Sequence, residues 1–394
     1  MYKKNPLRTA VSDRELARRW EAARTLMREH SLDCLLTQGN NMHLGGYVRW
    51  FTDIAAEGNL FTTVLFPLDD EMTLVRSSLQ PIPAWARRGI ADVKYELFAP
   101  SLNYTTDVEV AAVIGYLKKK NVKRLGLVGK AVLNARLILA IKAQLPDVAL
   151  IDITNELDLI KAIKSDEELS LIRETARIHD VAWAALPAVI KPGMREYQIR
   201  SEVIRLLAEI GSEEYLVFMG TAPPYKPCGM STFQFANRVV NEGDYGTLLI
   251  EVSGSGGYYC ESARNFSFGE PYPELQKAWD VAVEAQQLTA DLTVPGRHAK
   301  EIVAVYNEYV SERGYSPEGR LYGHSQGYDL IERPAFMAKH RFGEEDMLIL
   351  PGMNVSLHPY FIDDIQTVYI NDNYFVTETG AEKIHQTPPE IIVL

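Results

Sequence analysis

Cysteine is scarce in this chain, with three residues (Cys34, Cys228 and Cys260) in 394, too few and too widely spaced for a disulfide framework. A basic excess is also missing, because the net charge is −11 and no basic run is interleaved with aromatics. Nucleic acid and anionic membranes are therefore not expected as partners. Neither a transmembrane-length apolar run nor an apolar signal core near the N-terminus is present. We expect a cytoplasmic protein.

The chain has enough apolar residues, 46% of the total, to build two domains with cores of their own. Its first part alternates helical and strand patterns, which predicts a layered α/β domain over residues 1–158. A helix is predicted at 13–30, with Ser12 as N-cap and Glu15 in capping-box position. The further predicted elements are strands at 32–38, 60–69 and 124–129 and helices at 109–120, 131–144 and 158–178.

The second part, residues 159–394, contains an internal repeat. KPGMREYQI (191–199) and VPGRHAKEI (294–302) match at Pro, Gly and the closing Ile, and the two prolines are 103 residues apart. Each proline is followed nineteen residues later by a glycine, after a stretch with helical patterning. Two such units at long offset predict a domain with pseudo-twofold symmetry.

Five polar residues stand on strand-like segments in the last third of the chain. Glu251 and Glu261 flank a glycine-rich turn, and His324, His358 and Asn371 follow on later apolar segments. Two carboxylates, two imidazoles and an amide are suited to a polar pocket that holds a metal or binds substrate directly. A buried network of hydrogen bonds that satisfies only itself is the alternative.

In this order, the segments from about residue 243 to 380 resemble the catalytic core of the pita-bread superfamily, which includes creatinase, prolidase and aminopeptidase P. The resemblance implies an α/β (α+β) fold: a creatinase/prolidase-like N-terminal domain at 1–158 and a pita-bread domain at 159–394. In the metallopeptidases of this superfamily, Asp, Asp, His, Glu and Glu bind two divalent metals. Motif matching places Glu251 and Glu261 on the aspartates, His324 on the histidine, and His358 and Asn371 on the glutamates.

These replacements change the charge of the implied metal site. Four negative charges in the family become two here, from Glu251 and Glu261, which balance one divalent ion rather than two. We therefore expect either no metal or at most one ion (Zn, Mn, Fe or Co) on Glu251, Glu261, His324 and His358.

Two histidines that move protons in relatives are also replaced. Ile331 stands where the metallopeptidases have a histidine, and Thr232 stands where creatinase has its proton shuttle. Since neither side chain transfers protons near neutral pH, ordinary peptidase chemistry is not expected. Creatinase works on a non-peptide without the metal ligands, so the resemblance implies a creatinase-like hydrolase that cleaves a C–N bond in a small, polar, non-peptide substrate. Alternatives are a mononuclear metal-dependent Xaa-Pro peptidase-like hydrolase, a lyase resembling the dimethylsulfoniopropionate lyases, and a non-catalytic binding protein.

The residue types suggest catalytic and substrate-binding roles for individual side chains. His358 is the first candidate for general acid/base, because we expect it to bring a near-neutral pKa, and His324 with Glu261 comes next. Substrate contacts are expected from a set of polar residues near the motifs: Glu251, Asn371, Tyr328, Asp329, Glu332 and Arg238. Arg264 is expected to form a structural pair with Asp372.

The resemblance also implies a homodimer. In creatinase-like relatives a loop of one subunit's small domain covers the other subunit's active site. The corresponding stretch here is residues 43–59, which contains two adjacent glycines, three aromatics and Arg49. An ordinary surface loop with buried Trp50 and Phe51 is the alternative.

Overall fold

The computed structural model describes residues 10–39, 43–55, 61–76, 81–95, 102–230, 237–254, 256–339 and 346–394. The chain divides into two compact units, the first ending at Lys161 and the second running from Ala162 to Leu394. The predicted boundary at 158 falls inside a helix, Thr154–Ala162. Within the described residues, no helix is both long and apolar enough to cross a membrane.

The first unit is built on a six-stranded mixed sheet. Its elements are α1 (Asp13–Glu29), β1 (Cys34–Gly39), α2 (Tyr47–Thr52), β2 (Thr62–Pro67), β3 (Met72–Arg76), β4 (Ile90–Tyr95), α3 (Leu102–Lys119), β5 (Arg124–Leu127), α4 (Ala135–Gln144), β6 (Ala149–Asp152) and α5 (Thr154–Ala162). The strand order is β4-β3-β2-β1-β5-β6, with β1 antiparallel to β2 and parallel to β5. Apolar residues of β1, β5, α3 and α4 form its core.

Local signals account for most of these elements. The Ser12 side chain accepts a hydrogen bond from the Glu15 N–H at 3.1 Å and so begins α1 where the sequence predicts. The predicted loop at 43–59 instead contains α2, in which Trp50 and Phe51 are buried, and residues 56–59 lie outside the described part of the chain.

The second unit contains the rest of the helices and strands. They are α6 (Asp166–Val189), α7 (Glu196–Ile210), β7 (Glu214–Ala222), β8 (Tyr245–Ser253), β9 (Tyr259–Ser267), α8 (Pro273–Leu292), α9 (Ala299–Glu312), β10 (Gly323–Ser325), β11 (Glu332–Phe336), β12 (Asn354–Leu357), β13 (Tyr360–Ile362), β14 (Thr367–Tyr369), β15 (Asp372–Val376), β16 (Ala381–Lys383) and β17 (Ile392–Val393). The sheet orders are β17-β9-β8-β7, β11-β10-β12-β15-β16 and β13-β14.

The single helix predicted at 158–178 is in fact two helices, α5 and α6. Ser165 follows α5 and is the N-cap of α6. Its side chain accepts a hydrogen bond from the Glu168 N–H, and the Glu168 carboxylate accepts one from the Ser165 N–H. The helical periodicity continues across this break, so the pattern alone joins the two helices.

The internal repeat forms two matching helix pairs. In each half a long helix packs against a second one, α6 with α7 and α8 with α9, and each second helix leads to a strand, β7 or β10. The matched glycines follow the second helices with φ of 105° at Gly211 and 86° at Gly314, a region that side chains other than glycine rarely adopt. One core cluster fills each half.

Strands β9 and β15 join the two large sheets. The backbones of Ala263 and Asn371 form an antiparallel bridge between them. Beside it, Arg264 and Asp372 form the predicted ion pair at 2.8 Å, with both side chains fully buried. This junction brings the polar residues of β8, β9, β10 and the segments after β12 and β14 to one place.

Candidate active site

Two glutamates face each other on neighbouring strands. Glu251 in β8 lies directly opposite Glu261 in β9 in the antiparallel register, and both residues are buried, at 7% and 1% exposure. Like charges at such positions repel each other. Burial and the Glu261 carboxylate, with which it shares a hydrogen bond, raise the pKa of Glu251 well above its usual value. The pair therefore requires a shared proton or a nearby cation.

His324 and Glu261 bring two hydrogen-bond acceptors close together. Its Nδ1 lies 3.1 Å from the Ser325 carbonyl oxygen, and since a carbonyl only accepts, Nδ1 carries the hydrogen. In the neutral imidazole Nε2 then presents a lone pair, yet it lies 3.3 Å from the Glu261 Oε1. Two acceptors at this distance require a proton on Nε2 or a cation beside both atoms.

His358 completes the group. Its ring centroid is 5.4 Å from that of His324, and its backbone N–H donates to the Tyr322 carbonyl at 3.2 Å. Burial lowers the pKa of His358 to about 4, although Glu261 acts in the opposite sense. The expectation of a near-neutral pKa is therefore wrong for this pocket. A neutral imidazole is the form that binds metals.

The ionised state of Glu261 fits the same picture. Burial is the largest single effect and raises the pKa of this carboxyl, but His324, His358 and the polar side chains of Ser356 and Asn371 together shift it downward. One ligand atom from each of Glu261, His324 and His358 lies within 4.8 Å of the other two. Neither Glu261 Oε1 nor Glu251 Oε2 has a hydrogen-bond partner among the described residues. The donor set of one carboxylate and two imidazoles fits one divalent ion.

Glu251 is not a member of this three-residue group, although it was predicted to bind the metal with the other three. It lies beside the group and lines the same cavity. That cavity measures about 220 Å³, below the ~300–1,000 Å³ that is typical of drug-sized ligand sites. Its lining consists of Met230, Glu251, Glu261, Arg320, Leu321, His324, His358, Tyr360 and Tyr369.

A hydrogen-bond network holds Glu261 in place. The Glu261 N–H donates to the Asn373 Oδ1 at 2.9 Å, and the Asn373 amide donates to the Gln326 Oε1 at 2.9 Å. Asn371 is fully buried near Glu261 and favours its charged form, but it is not part of the cavity lining. Asn371 therefore acts on the carboxylate rather than on a ligand in the cavity.

Four other predicted substrate contacts do not line the cavity. Tyr328 packs against the Tyr258 ring at 4.2 Å. Arg238 is paired with Asp244 at 2.7 Å. Glu332 forms a buried ion pair with Lys164 at 2.7 Å and accepts a hydrogen bond from the Asp329 N–H at 3.3 Å. The sequence placed these residues near the site because they are close to His324 or to the first glutamate along the chain, but the fold turns them toward other partners.

Sequence reasoning missed Arg320, Tyr360 and Tyr369. Tyr360 comes two residues after His358 and Tyr369 two residues before Asn371. Because side chains two apart on an extended segment share a face, the period of two was a usable signal for Tyr360. It was not one for Tyr369, since Asn371 does not line the cavity. Arg320 precedes β10 in an irregular segment, where no such period applies.

The sequence pattern of metallopeptidase family M24 matches residues 170–378, more than half of the chain. The chain belongs to metallopeptidase family M24. The pita-bread fold expected from the sequence is thereby confirmed, since solved structures with this fold cover nearly the whole chain. The family's name implies the use of a metal.

Related proteins are named as peptidases. Uncharacterized peptidase YqhT of Bacillus subtilis is 26% identical over 257 residues, covering 64% of this M24 chain and 70% of that protein. Probable dipeptidase PepE of Mycobacterium tuberculosis is 26% identical over 247 residues, 61% of this chain and 63% of that protein. The solved Xaa-Pro dipeptidase from Bacillus anthracis has a TM-score of 0.77 at 21% identity and covers 96% of this chain and 100% of its own.

These names overturn one expectation. The creatinase-like hydrolysis of a non-peptide substrate is wrong as the main interpretation of this M24 protein, because its relatives are peptidases and dipeptidases. The error came from Ile331 and Thr232, whose missing imidazoles bear on proton transfer and not on which bond is cut. Ile331 does not line the cavity, and Thr232 lies outside the described residues.

Proposed function

We propose that this protein is a metal-dependent peptidase of the dipeptidase kind, with one divalent ion held by Glu261, His324 and His358. The observation that carries the proposal is the contact of 3.3 Å between His324 Nε2 and Glu261 Oε1. Either a proton or a cation accounts for this contact, and the second imidazole within ligand distance, together with the family's name, favours a cation. The small cavity and the names of the relatives support a short peptide as substrate.

The protein's own groups supply the remaining chemistry. A divalent ion held by Glu261, His324 and His358 would polarise the scissile carbonyl and lower the pKa of a water molecule beside it. Glu251 lines the cavity, and its Oε2 makes no hydrogen bond in the described part of the chain. A carboxylate in that position can accept the proton of the attacking water and deliver it to the leaving amine. The Ser325 carbonyl fixes His324 in the tautomer with Nε2 toward the cavity.

Activity on dipeptides after metal removal and reloading tests this proposal. Protein dialysed against a chelator should lose hydrolysis of Ala-Pro and Ala-Ala and regain it when Zn, Mn or Co is added. Hydrolysis that persists at full rate in the chelated protein, or no hydrolysis with any of these metals, would contradict the proposal.

The homodimer and the cytoplasmic location stay predictions. Light scattering at micromolar concentration checks the first, since a monomer would rule out a site completed by a second copy. Fractionation of the source cells checks the second.

A further inference from the structure

Arg320 is the one cation in the lining of the cavity among the residues that the structure describes. Its side chain is 73% exposed, whereas Glu251, Glu261, His324 and His358 are buried. The cavity therefore has carboxyl and imidazole groups on its buried side and a guanidinium at its exposed rim. This polarity fits a small zwitterion with its negative end outward.

The Arg320 guanidinium has hydrogen-bond partners among the described residues for only some of its N–H groups. Arg320 Nε and Nη2 lie 3.3 and 3.4 Å from the two Glu318 carboxylate oxygens, longer than the ~2.7–2.9 Å of strong charge-assisted bonds. Nη1 makes no hydrogen bond to any described residue. The guanidinium carbon lies 5.3 Å from the centre of the Tyr360 ring, within cation–π range.

Two further hydrogen bonds fix the position of Glu318. Its carboxylate accepts a hydrogen bond from the Arg320 N–H at 2.7 Å, and its own N–H donates to the Asn307 Oδ1 at 2.7 Å. Glu318 and Tyr360 thus orient a planar group that matches carboxylate oxygens two at a time. Arg238, which the sequence nominated for a carboxylate, is instead paired with Asp244.

We propose that Arg320 binds the free α-carboxylate of the peptide substrate and thereby selects dipeptides over peptides with a blocked C-terminus. The inference rests on the proposed function and adds to it the substrate class. It makes Arg320 a specificity-determining residue, because a dipeptide places its carboxylate one residue beyond the scissile bond, whereas the bond itself lies at the buried glutamates and histidines.

Kinetics on Ala-Pro and on Ala-Pro amide test the inference with the metal-loaded, full-length protein. The wild type should prefer the free acid in kcat/KM by about tenfold, the size expected for a charge-assisted bond that solvent partly screens. The preference should reside mainly in KM and shrink as salt rises. In Arg320→Met the preference should disappear, and Arg320→Lys should restore part of it.

Two further variants separate recognition from structure. Arg313 is a matched control, since its guanidinium carbon also lies over a tyrosine ring, Tyr309, at 3.5 Å with Glu312 beside it, but it does not line the cavity. Arg313→Met should keep the tenfold preference. Glu318→Gln removes the competing charge from Arg320 while an amide oxygen still accepts the Arg320 N–H, so KM for Ala-Pro should fall.

The kinetic results distinguish a failure of the Arg320 role from a failure of the dipeptidase proposal. Equal rates on acid and amide in an active wild type, or an unchanged preference in Arg320→Met, would overturn the role of Arg320 and leave the dipeptidase proposal standing. A wild type that cleaves neither compound would overturn both. If Arg320→Met does not fold, a reduced preference in the folded Arg320→Lys variant and a lower KM in Glu318→Gln support the role of Arg320, and an unchanged preference in Arg320→Lys overturns it.

Discussion

At the scale of single residues, buried polar atoms that lack a hydrogen-bond partner indicate where a ligand or an ion binds better than the residue types do. Glu251 Oε2, Glu261 Oε1 and both polar atoms of the Asn371 side chain are buried with no hydrogen-bond partner among the described residues. Leaving such atoms unpaired costs about 1–3 kcal/mol each. Glu251 and Glu261 line one cavity, where a ligand or an ion can complete their free oxygens, whereas Asn371 does not line it.

Replacing Glu251 by Gln should lower kcat for a dipeptide by about 10²–10⁴-fold, the usual contribution of a group that transfers a proton. Metal content should not change, because Glu251 is outside the three-residue ligand group. Elemental analysis and steady-state kinetics measure the two effects. Glu270→Gln, on an exposed position of the same domain, is the control. Loss of metal in Glu251→Gln would show instead that Glu251 is a ligand.

His385 gives the protein an acid-sensitive component of stability. Burial, and then the neighbouring His179, lower the pKa of His385 to about 3. Below pH ~6.5 the unfolded chain binds a proton here that the folded chain does not bind, so stability falls as pH falls through this window.

His385→Gln removes that linkage and keeps an amide that can donate to Asn373 Oδ1, the partner of His385 Nε2 at 3.4 Å. Between pH 6 and 4 the free energy of unfolding of the wild type should fall more steeply, by up to about 1.4 kcal/mol per pH unit. Urea denaturation at each pH measures the slopes, which should be parallel above pH 7. Parallel slopes below pH 6 as well would contradict the assignment.

At the scale of elements, the junction of β9 and β15 is the part on which the site depends. Asn371 bridges to Ala263, and Arg264 donates to the Asn371 carbonyl at 3.0 Å as well as to Asp372. The ion pair is fully buried, and removing Arg264 leaves Asp372 with Lys383 alone, at 3.2 Å, and leaves the Asn371 carbonyl without its arginine donor.

Arg264→Met should therefore lower the free energy of unfolding by about 3–5 kcal/mol, the loss typical of a broken buried pair. The exposed pair of Arg173 and Glu382, at 3.0 Å, serves for comparison, and Arg173→Met should cost no more than about 1 kcal/mol. Urea denaturation monitored by tryptophan fluorescence measures both. Similar losses in the two variants would mean that burial does not determine the strength of the Arg264 contact.

Most helices, strands and turns could be predicted from the sequence, because helix capping, hydrophobic periodicity and glycine positions act locally. Ser12, the Pro-Gly repeats and the paired glutamates on either side of a glycine-rich turn all lie where the patterns placed them. The break at Ser165 and the partners of Arg238 and Glu332 were not predictable, since they depend on contacts between segments distant in sequence. Arg320 was missed because it lies in an irregular segment, where no side-chain period marks it.

At the scale of the whole molecule, charge balance and family membership support the proposal of one site with one ion. The resemblance seen in the sequence correctly indicated the fold and the family, because segment order and turn residues persist when ligands change. It did not indicate the substrate, since the two missing histidines say how protons move and not which bond is cut. The proposal of a single metal rests on three potential ligand atoms within 4.8 Å of one another.

Metal stoichiometry tests this central claim most directly. After equilibration with Zn, Mn or Co and removal of free ions, wild-type protein should retain one equivalent per chain by elemental analysis. His324→Ala should retain none, while His298→Ala, at a partly exposed position of the same domain that does not line the cavity, should match the wild type. Two equivalents in the wild type, no bound metal at all, or one equivalent that survives His324→Ala would contradict the account.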